Sequence, residues 1–144
     1  MDITVRKAQI YDIPDILKMN DVFNKVGCTV ESMKESLENN QSEIVFVAIH
    51  NGKAIGFVCG QLNPSICYAD GVECEVTELF VYEEYRRKGV ATKLIKRLEL
   101  EFGKYNALEI TLQTGKKNVV AQKFYINNGY DVLERVVYRK SKNV

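Results

Sequence analysis

The chain has 144 residues, 20 Lys and Arg against 19 Asp and Glu, and a formal net charge of +1 at pH 7. This balance creates no long-range field to attract nucleic acid or an anionic membrane, so we expect neither as a partner. The four cysteines form no Cys-x-x-Cys pair and there is one histidine, which argues against a metal site of the usual zinc spacing. We expect one domain over residues 1–144, in the reducing cytoplasm, where thiols serve mainly as core residues.

The first half of the chain has the patterns of one strand, two helices and three more strands. Asp12 and Thr29 are placed to cap the two helices, and Gly27 ends the first of them. Asn51-Gly52 is typical of a tight hairpin turn between two strands. The strands expected in this half lie over 3–8, 44–49, 54–62 and 72–81.

The second half alternates helices with short strands. Gly103 ends an amphipathic helix, which is expected to expose Arg97 and Glu101 as an i, i+4 pair. Asn118 is a good N-cap for a shorter helix that stops at Asn128-Gly129. The strands expected here lie over 108–113, 132–133 and 136–138. Elements in this order predict an α/β fold with helices on both faces of one sheet.

A charged turn between a predicted strand and the helix that follows it has the features of a phosphate-binding site. The first N–H groups of a helix lack internal partners and lie at the positive end of its dipole, so they attract anions. Gly89 would let a ligand approach the backbone, and Ala91 is the next smallest residue. Arg86, Arg87 and Lys88 add positive charge. The alternative is an ordinary charged turn that opens an amphipathic helix.

The spacing Arg86-x-x-Gly89-x-Ala91, after a strand ending in Leu79-Phe80-Val81, resembles the acyl-CoA-binding motif of the GNAT superfamily of N-acyltransferases. The order of elements agrees with that superfamily over nearly the whole chain. The resemblance implies a single-domain α/β GNAT fold with a mixed, mostly antiparallel central sheet and helices on both faces. It also implies acetyl-CoA as the co-substrate, without a metal. A second match to the pattern is formed by Asn118, Ala121, Phe124, Tyr125, Gly129 and Tyr130.

The resemblance also implies which residues contact the cofactor. The backbone of Leu79, Phe80 and Val81 would pair with the pantetheine arm as an added strand would. Asn118 would cap its helix, contact the cofactor, or do both. The pyrophosphate would lie on the turn formed by Arg86, Arg87, Lys88, Gly89, Val90, Ala91 and Thr92.

Two catalytic roles follow from the resemblance. Tyr125 would lie near the thioester sulfur and protonate the departing CoA thiolate, although a tyrosine on an apolar helix face is otherwise a core residue. Glu75 and Glu78 are the candidates for the base that takes a proton from the amine. Because they are three residues apart, they face opposite sides of a strand unless a bulge lies between them. Glu75 is favoured because it shares strand parity with Leu79 and Val81.

Three further positions bear on the chemistry. Some members of the superfamily carry a Glu where this chain has Gln113, which cannot accept a proton, so that arrangement is absent. A backbone N–H in the 79–81 segment would polarise the thioester carbonyl. Cys74 adjoins the site in sequence but lacks a partner that would form a thiolate, so we expect it in the core.

The sequence therefore predicts a GNAT-type N-acetyltransferase, of class EC 2.3.1, that moves an acetyl group directly from acetyl-CoA to a primary amine in a ternary complex. The acceptor would be a small molecule, such as an aminoglycoside or a polyamine, or a peptide or protein amine. The alternative function is a non-catalytic acyl-CoA-binding regulatory module, which Gln113 supports. The oligomeric state stays open, with a homodimer as one option. Acidic residues that would suit a cationic acceptor, or simply form solvated faces, are Asp21, Glu31, Glu35, Asp70 and Glu73.

Overall fold

A computed structural model describes residues 1–142 of the chain. The strands form one sheet in the order β1-β2-β3-β4-β5, and every neighbouring pair is antiparallel except β4 and β5, which are parallel. The predicted mixed, mostly antiparallel sheet is therefore confirmed. The strands are β1 (Thr4–Lys7), β2 (Glu43–His50), β3 (Lys53–Asn63), β4 (Val72–Val81) and β5 (Ala107–Leu112).

Local capping explains where the helices begin. Thr29 accepts a hydrogen bond from the backbone N–H of Ser32 at 3.0 Å, as predicted. Asp12 instead accepts from the N–H of Gln9 at 2.7 Å and pairs with Arg6, so its side chain stabilises the turn before the first helix rather than capping that helix. The helices are α1 (Ile13–Phe23), α2 (Val30–Asn39), α3 (Val90–Gly103) and α4 (Val119–Asn127).

Helices cover both faces of the sheet in the first part of the chain. Ile13 and Met19 of α1 belong to a buried cluster with Phe57 of β3 and Phe80 of β4. On the opposite face α3 approaches so closely that a Cβ on Gly60 would lie 2.5 Å from the Phe102 ring. The expected arrangement of helices on both faces is confirmed. We name the two surfaces of the sheet the α1/α2 face and the α3 face.

Glu101 does not lie on the exposed side of α3 as predicted. Its side chain is 3% exposed and is surrounded by cations. Lys7 Nζ lies 3.1 Å from Oε2, Lys104 Nζ lies 3.0 Å from Oε1, and the predicted partner Arg97 lies 3.6 Å from Oε1. Helical spacing could not reveal this burial, because Lys7 comes from β1 and meets α3 only in the folded chain.

The strands predicted over 132–133 and 136–138 are absent: beyond β5, residues 113–142 contain no strand. The reason is physical, since an alternating apolar segment becomes a strand only when a neighbouring strand pairs with its backbone. The chain divides into two compact units, Met1–Gln113 and Thr114–Val144, the second of which is described to residue 142. One domain over 1–144 stays a prediction, as does a cytoplasmic location. Within residues 1–142, every helix is too short or too polar to span a bilayer.

Candidate active site

Strands β4 and β5 run together for only part of their length. β5 pairs with β4 from Val72 to Val76 and ends at Leu112, whereas β4 continues to Val81. Beyond Val76, β4 pairs with β3 on one edge and has no strand on its other edge within residues 1–142. The first unit thus presents an open strand edge directly before α3.

Backbone direction alternates along this open edge. The N–H of Tyr82 donates to the carbonyl of Ile55 in β3 at 3.0 Å. Since successive residues of a strand point their backbone groups to opposite edges, Phe80 is directed to β3, while Leu79 and Val81 are directed to the open edge. Leu79 and Val81 are therefore the two members of the predicted trio whose backbone can accept an added strand.

Gly89 and the first turn of α3 have the backbone geometry that was predicted for an anion site. Gly89 is the N-cap residue and has φ +79°, a conformation that favours glycine. The first helical hydrogen bond runs from the Lys93 N–H to the Gly89 carbonyl at 3.1 Å, which leaves the first-turn N–H groups without a helical partner. A Cβ at Gly89 would meet no atom of the described residues within 4 Å, so the turn is open. The first-turn N–H groups belong to Val90, Ala91 and Thr92.

The three cations of the turn differ in their freedom. The Arg86 Nε donates to the Val81 carbonyl at 2.8 Å, and its guanidinium lies 5.8 Å from the centre of the Phe80 ring. Arg86 is therefore held at the end of β4 instead of extending freely around the turn. Arg87 and Lys88 are exposed and form no ion pair within residues 1–142. Arg87 also adopts a positive φ of 60°, which sharpens the approach to α3.

A β-bulge at Thr77 decides where the two candidate carboxylates point. Glu78 lies opposite Cys59 of β3 and Glu75 lies opposite Gln61, with a register shift between these pairs. Opposed residues of antiparallel strands share a face, and Cys59 belongs to the α1/α2 cluster. Glu75 and Glu78 therefore share the α1/α2 face, which confirms the bulged alternative.

The parity argument that favoured Glu75 does not hold in the structure. Leu79 lies opposite Val58, and Val81 lies opposite Gly56, whose position faces Leu94 of α3. Leu79 and Val81 thus direct their side chains to the α3 face. The extra residue in the bulge reverses the alternation between Glu75 and these two positions, and no regular-strand count could include it.

Glu78 is in contact with the end of α1. Asn24, the residue after α1, donates from Nδ2 to Oε2 of Glu78 at 3.4 Å and to Oδ1 of Asn20 at 2.6 Å. This amide is a neutral neighbour, so the Glu78 carboxylate keeps its negative charge uncompensated by an ion pair within residues 1–142. A half-buried carboxylate of this kind can accept a proton from a nearby amine.

Glu43 of β2 is a further carboxylate that the sequence analysis missed. It lies opposite Gln61 and so shares the α1/α2 face with Glu75 and Glu78. Burial raises the pKa of Glu43, and the charge of Glu78 raises it further. Glu43, Val45 and Val47 occupy every second position of β2. This spacing was the signal that could have placed Glu43 on the same face as the two apolar residues. No group of three or more His, Cys, Asp or Glu side chains in residues 1–142 is arranged to hold a metal ion.

The two buried cysteines of the first unit are protonated core residues. Burial raises the pKa of Cys59 well above its usual value, and the charges of Glu43 and Glu78 act in the same direction. Burial also raises the pKa of Cys74, with Glu73 adding to the effect, and Cys74 lies on the α3 face opposite Leu62. The expectation of a core role for Cys74 is confirmed.

The second unit contains the other two predicted site residues. Asn118 Oδ1 accepts from the Ala121 N–H at 3.1 Å, so its capping role is confirmed, and its Nδ2 has no partner within residues 1–142. Tyr125 packs edge-on against Phe124 and Tyr130, with ring centres 5.2 and 5.8 Å away. Burial raises the pKa of Tyr125, so it keeps its proton at neutral pH.

The family of this chain is shown by its match to known proteins. Residues 13–130 match the family model described as the acetyltransferase (GNAT) family. The chain belongs to this family. The prediction of a GNAT-type N-acetyltransferase, in the acyltransferase class EC 2.3.1, is thereby confirmed at the level of the family.

Individual relatives extend this match. An N-alpha-acetyltransferase of Saccharolobus solfataricus is 29% identical over 86% of this chain and 77% of its own length. The aminoglycoside N(6')-acetyltransferase type 1 of Salmonella typhimurium is 29% identical over 66% of this chain and 68% of its own length. An uncharacterised N-acetyltransferase of Bacillus subtilis is 33% identical over 69% of this chain, and the match spans 65% of its own length.

A solved structure supports the fold. The structure of AAC(6')-Iy in complex with the bisubstrate analogue CoA-S-monomethyl-acetylneamine has a TM-score of 0.87 with 19% identity, over 99% of each chain. At this low sequence identity, the structural likeness shows that this chain shares the fold, and it shows nothing further.

Proposed function

We propose that this protein transfers an acetyl group from acetyl-CoA to a primary amine by direct transfer in a ternary complex. The observation that carries the proposal is the open edge of β4, which the turn over residues 82–89 connects to the N–H groups at the start of α3 that lack a helical partner. A strand edge followed by an anion site suits a ligand with an extended amide-containing arm and a diphosphate. The named acetyltransferases among the relatives support the same reaction class.

Acetyl-CoA fits the chain's own groups. The backbone of Leu79 and Val81 would pair with the pantetheine arm, and the N–H groups of residues 89–92 would hold the pyrophosphate. Arg87 and Lys88 would add charge beside it, while Arg86 positions the turn through the Val81 carbonyl. The Nδ2 of Asn118, which has no partner within residues 1–142, would donate to the cofactor as well.

Glu78 is the base we propose for the amine. A primary amine has a pKa of about 10 and arrives protonated, so it must lose a proton before it attacks. Glu78 adjoins the open edge of β4, whereas Glu75 lies beside the part of β4 that β5 covers. Glu43 and Glu75 would add negative potential on the same face and attract the ammonium group.

The remaining proton transfers complete the reaction. The amine nitrogen bonds to the acetyl carbon while the carbon–sulfur bond of the thioester breaks. An N–H of Leu79 or Val81 would stabilise the negative charge that gathers on the carbonyl oxygen. Tyr125 would give its proton to the departing CoA thiolate and would regain one when the new amide nitrogen loses its second proton, while the first proton, which Glu78 removed from the ammonium, passes to solvent.

The acceptor we propose is a small cationic amine of the aminoglycoside or polyamine type. Three carboxylates on one face, none of them in an ion pair within residues 1–142, favour an acceptor that carries more than one positive charge. The Salmonella relative's name points to the same class. A peptide N-terminus, to which the name of the Saccharolobus relative points, carries a single amine and would use this face less fully.

Calorimetric titration and a thiol-release assay test the proposal. We expect heat with acetyl-CoA and CoA but not with ATP, and free thiol with aminoglycosides or polyamines in preference to peptides. Gly89→Glu should lower acetyl-CoA affinity by about 100-fold, because it adds a side chain and a negative charge where the pyrophosphate would lie. Gly27→Glu is the matched control, since Gly27 also has a positive φ of 74° and open space around it.

Three outcomes would contradict parts of this proposal. Normal acetyl-CoA binding by Gly89→Glu would remove the assigned anion site. Binding without thiol release for any amine would instead favour the non-catalytic regulatory module. Preferential turnover of peptides would keep the enzyme but replace the cationic small molecule as its acceptor.

A further inference from the structure

The end of α1 lies against two residues of β4 that face the same side of the sheet. Glu78 and Phe80 are two positions apart on β4, and both direct their side chains to the α1/α2 face. The centre of the Phe23 ring lies 5.5 Å from the centre of the Phe80 ring. The next residue along the chain, Asn24, donates from Nδ2 to Oε2 of Glu78 at 3.4 Å. Consecutive residues at the end of α1 therefore contact alternate residues of β4.

Asn20, one helical turn earlier, holds the Asn24 side chain in one orientation. The backbone N–H of Asn24 donates to the Asn20 carbonyl at 2.8 Å, and Asn24 Nδ2 donates to Asn20 Oδ1 at 2.6 Å. Lys25 then turns the chain away from the helix with a positive φ of 56°, a conformation that residues other than glycine seldom adopt. An amide nitrogen carries two hydrogens, so one can serve Asn20 and the other Glu78. The amide is therefore fixed by its own helix at the place where it contacts Glu78.

The contact restrains one oxygen of the Glu78 carboxylate and leaves the other available. Asn24 binds Oε2, while Oε1 accepts no hydrogen bond within residues 1–142. A base must lie within hydrogen-bond distance of the proton that it removes, and a small displacement of such a group lowers the rate strongly. A glutamate side chain is flexible, so holding it in place has an entropic cost that a fixed neighbour can offset. A neutral donor restrains the carboxylate without compensating its charge, as an arginine or a lysine would.

We propose that Asn24 is a positioning residue that holds Oε2 of Glu78 and thereby presents Oε1 to the amine. Asn20 contributes by fixing the Asn24 amide. This role rests on the proposed function, because it assigns Asn24 an effect on the base named there. Since Asn24 acts on the base and not on the cofactor, its loss should lower kcat and leave the affinity for acetyl-CoA unchanged.

Asn24→Asp tests this role, because it keeps the shape of the side chain but replaces the donor with a charged acceptor. The new carboxylate would repel Glu78, so kcat should fall by about 10- to 30-fold, while calorimetry finds the affinity for acetyl-CoA within about twofold of the unmodified value. Asn40→Asp is the matched control, since Asn40 follows α2 as Asn24 follows α1. Its Oδ1 accepts from the Ser42 N–H at 3.1 Å, and an aspartate retains that oxygen. The control should leave kcat unchanged.

A double substitution separates positioning from a general structural effect. If Asn24 acts through Glu78, adding Asn24→Asp to Glu78→Gln should lower kcat by less than about twofold further. A structural role would instead lower kcat by the same factor in both backgrounds. Asn20→Leu carries the same test without a change at Asn24: it removes the oxygen that fixes the amide, and should lower kcat by about threefold. Urea denaturation confirms that each variant is folded under the assay conditions.

The outcomes distinguish the positioning role from the proposed function. A large loss of kcat in Glu78→Gln, with kcat unchanged in both Asn24→Asp and Asn20→Leu, overturns the positioning role and leaves the base in place. Equal losses from Asn24→Asp in the two backgrounds overturn the role as well. If Glu78→Gln retains its kcat, the proposed base is wrong and the role of Asn24 falls with it. Absence of thiol release from the unmodified chain with every amine overturns the function itself, and the positioning role with it.

Discussion

The two faces of the sheet are formed by the same strands but carry different kinds of side chain. On the α3 face, four side chains of α3 are fully buried: Leu94, Ile95, Leu98 and Phe102. The packing is so close that a Cβ on Gly60 would collide with Leu98 and Phe102. On the α1/α2 face the same strands carry Glu43, Glu75 and Glu78, which are only half-buried. Both faces therefore contain a packed core, but the α1/α2 face combines its buried cluster with three carboxylates that are not fully buried.

Carboxylates on the two sides of the sheet have different electrostatic surroundings. Glu101 of α3 is buried, and three cations compensate its charge. Glu78 has only the neutral amide of Asn24 as a hydrogen-bond partner within residues 1–142. Cations therefore compensate the charge of Glu101, whereas Glu78 has no ion-pair partner within residues 1–142. The difference between the faces can be tested by experiments on each.

The largest effect is expected from Glu78→Gln on the α1/α2 face. Loss of the proposed base should lower kcat by about 10²- to 10⁴-fold, while calorimetric affinity for acetyl-CoA stays the same. Glu75→Gln is the matched change on the same strand and face, and its effect on kcat should be smaller. If Glu75→Gln lowers kcat more than Glu78→Gln does, Glu75 replaces Glu78 as the proposed base.

On the α3 face, Leu98→Ala should lower the free energy of unfolding by about 3 kcal/mol, because it opens a cavity in a fully packed region. Leu100→Ala on the same helix removes a side chain that is 68% exposed, and should change stability by less than about 0.5 kcal/mol. Urea denaturation measures both. The activity per folded molecule should be unchanged in each variant; a specific loss of kcat in Leu98→Ala would show that the α3 face also serves the chemistry.

Tyr125→Phe should have a more moderate effect on turnover, about 10- to 100-fold in kcat, because a thiolate needs less help from an acid than an alkoxide does. The raised pKa of Tyr125 keeps its proton in place well into the alkaline range, so no loss of activity from this group is expected as pH rises to neutrality and somewhat beyond. Stopped-assay turnover with saturating acetyl-CoA measures this. Turnover equal to that of the unmodified protein would exclude the acid role.

The smallest effect concerns the pH dependence of stability from Glu101. Burial acts to raise the pKa of Glu101, but the neighbouring Lys104 and Lys7 outweigh it, so the pKa is lowered from 4.5. Between the lowered pKa and 4.5 the unfolded chain binds more protons than the folded one. The stabilisation is therefore present above pH 4.5 and is lost as pH falls through the folded-state pKa. Urea midpoints of Glu101→Gln should vary less with pH in this range than those of the unmodified chain.

Several elements could be read from local sequence because local interactions create them. Asn118 caps α4 through the N–H of Ala121, three residues away. Gly89 adopts its positive φ where the chain turns from β4 towards α3. Asn51 and Gly52 form the hairpin turn between β2 and β3. Each of these features depends on residues within about four positions of one another, which is the range that sequence patterns describe.

Periodicity and short motifs were enough to predict the helices and the strands as far as β5 and α4, the open turn at Gly89 and the family. They could not predict that Glu75 and Glu78 share a face, that Glu43 joins them, or that Glu101 is buried among cations. Strand register, a one-residue bulge and contacts between distant elements arise when the whole sheet packs. A shift of one residue moves every later side chain to the other face, which composition and spacing alone cannot specify.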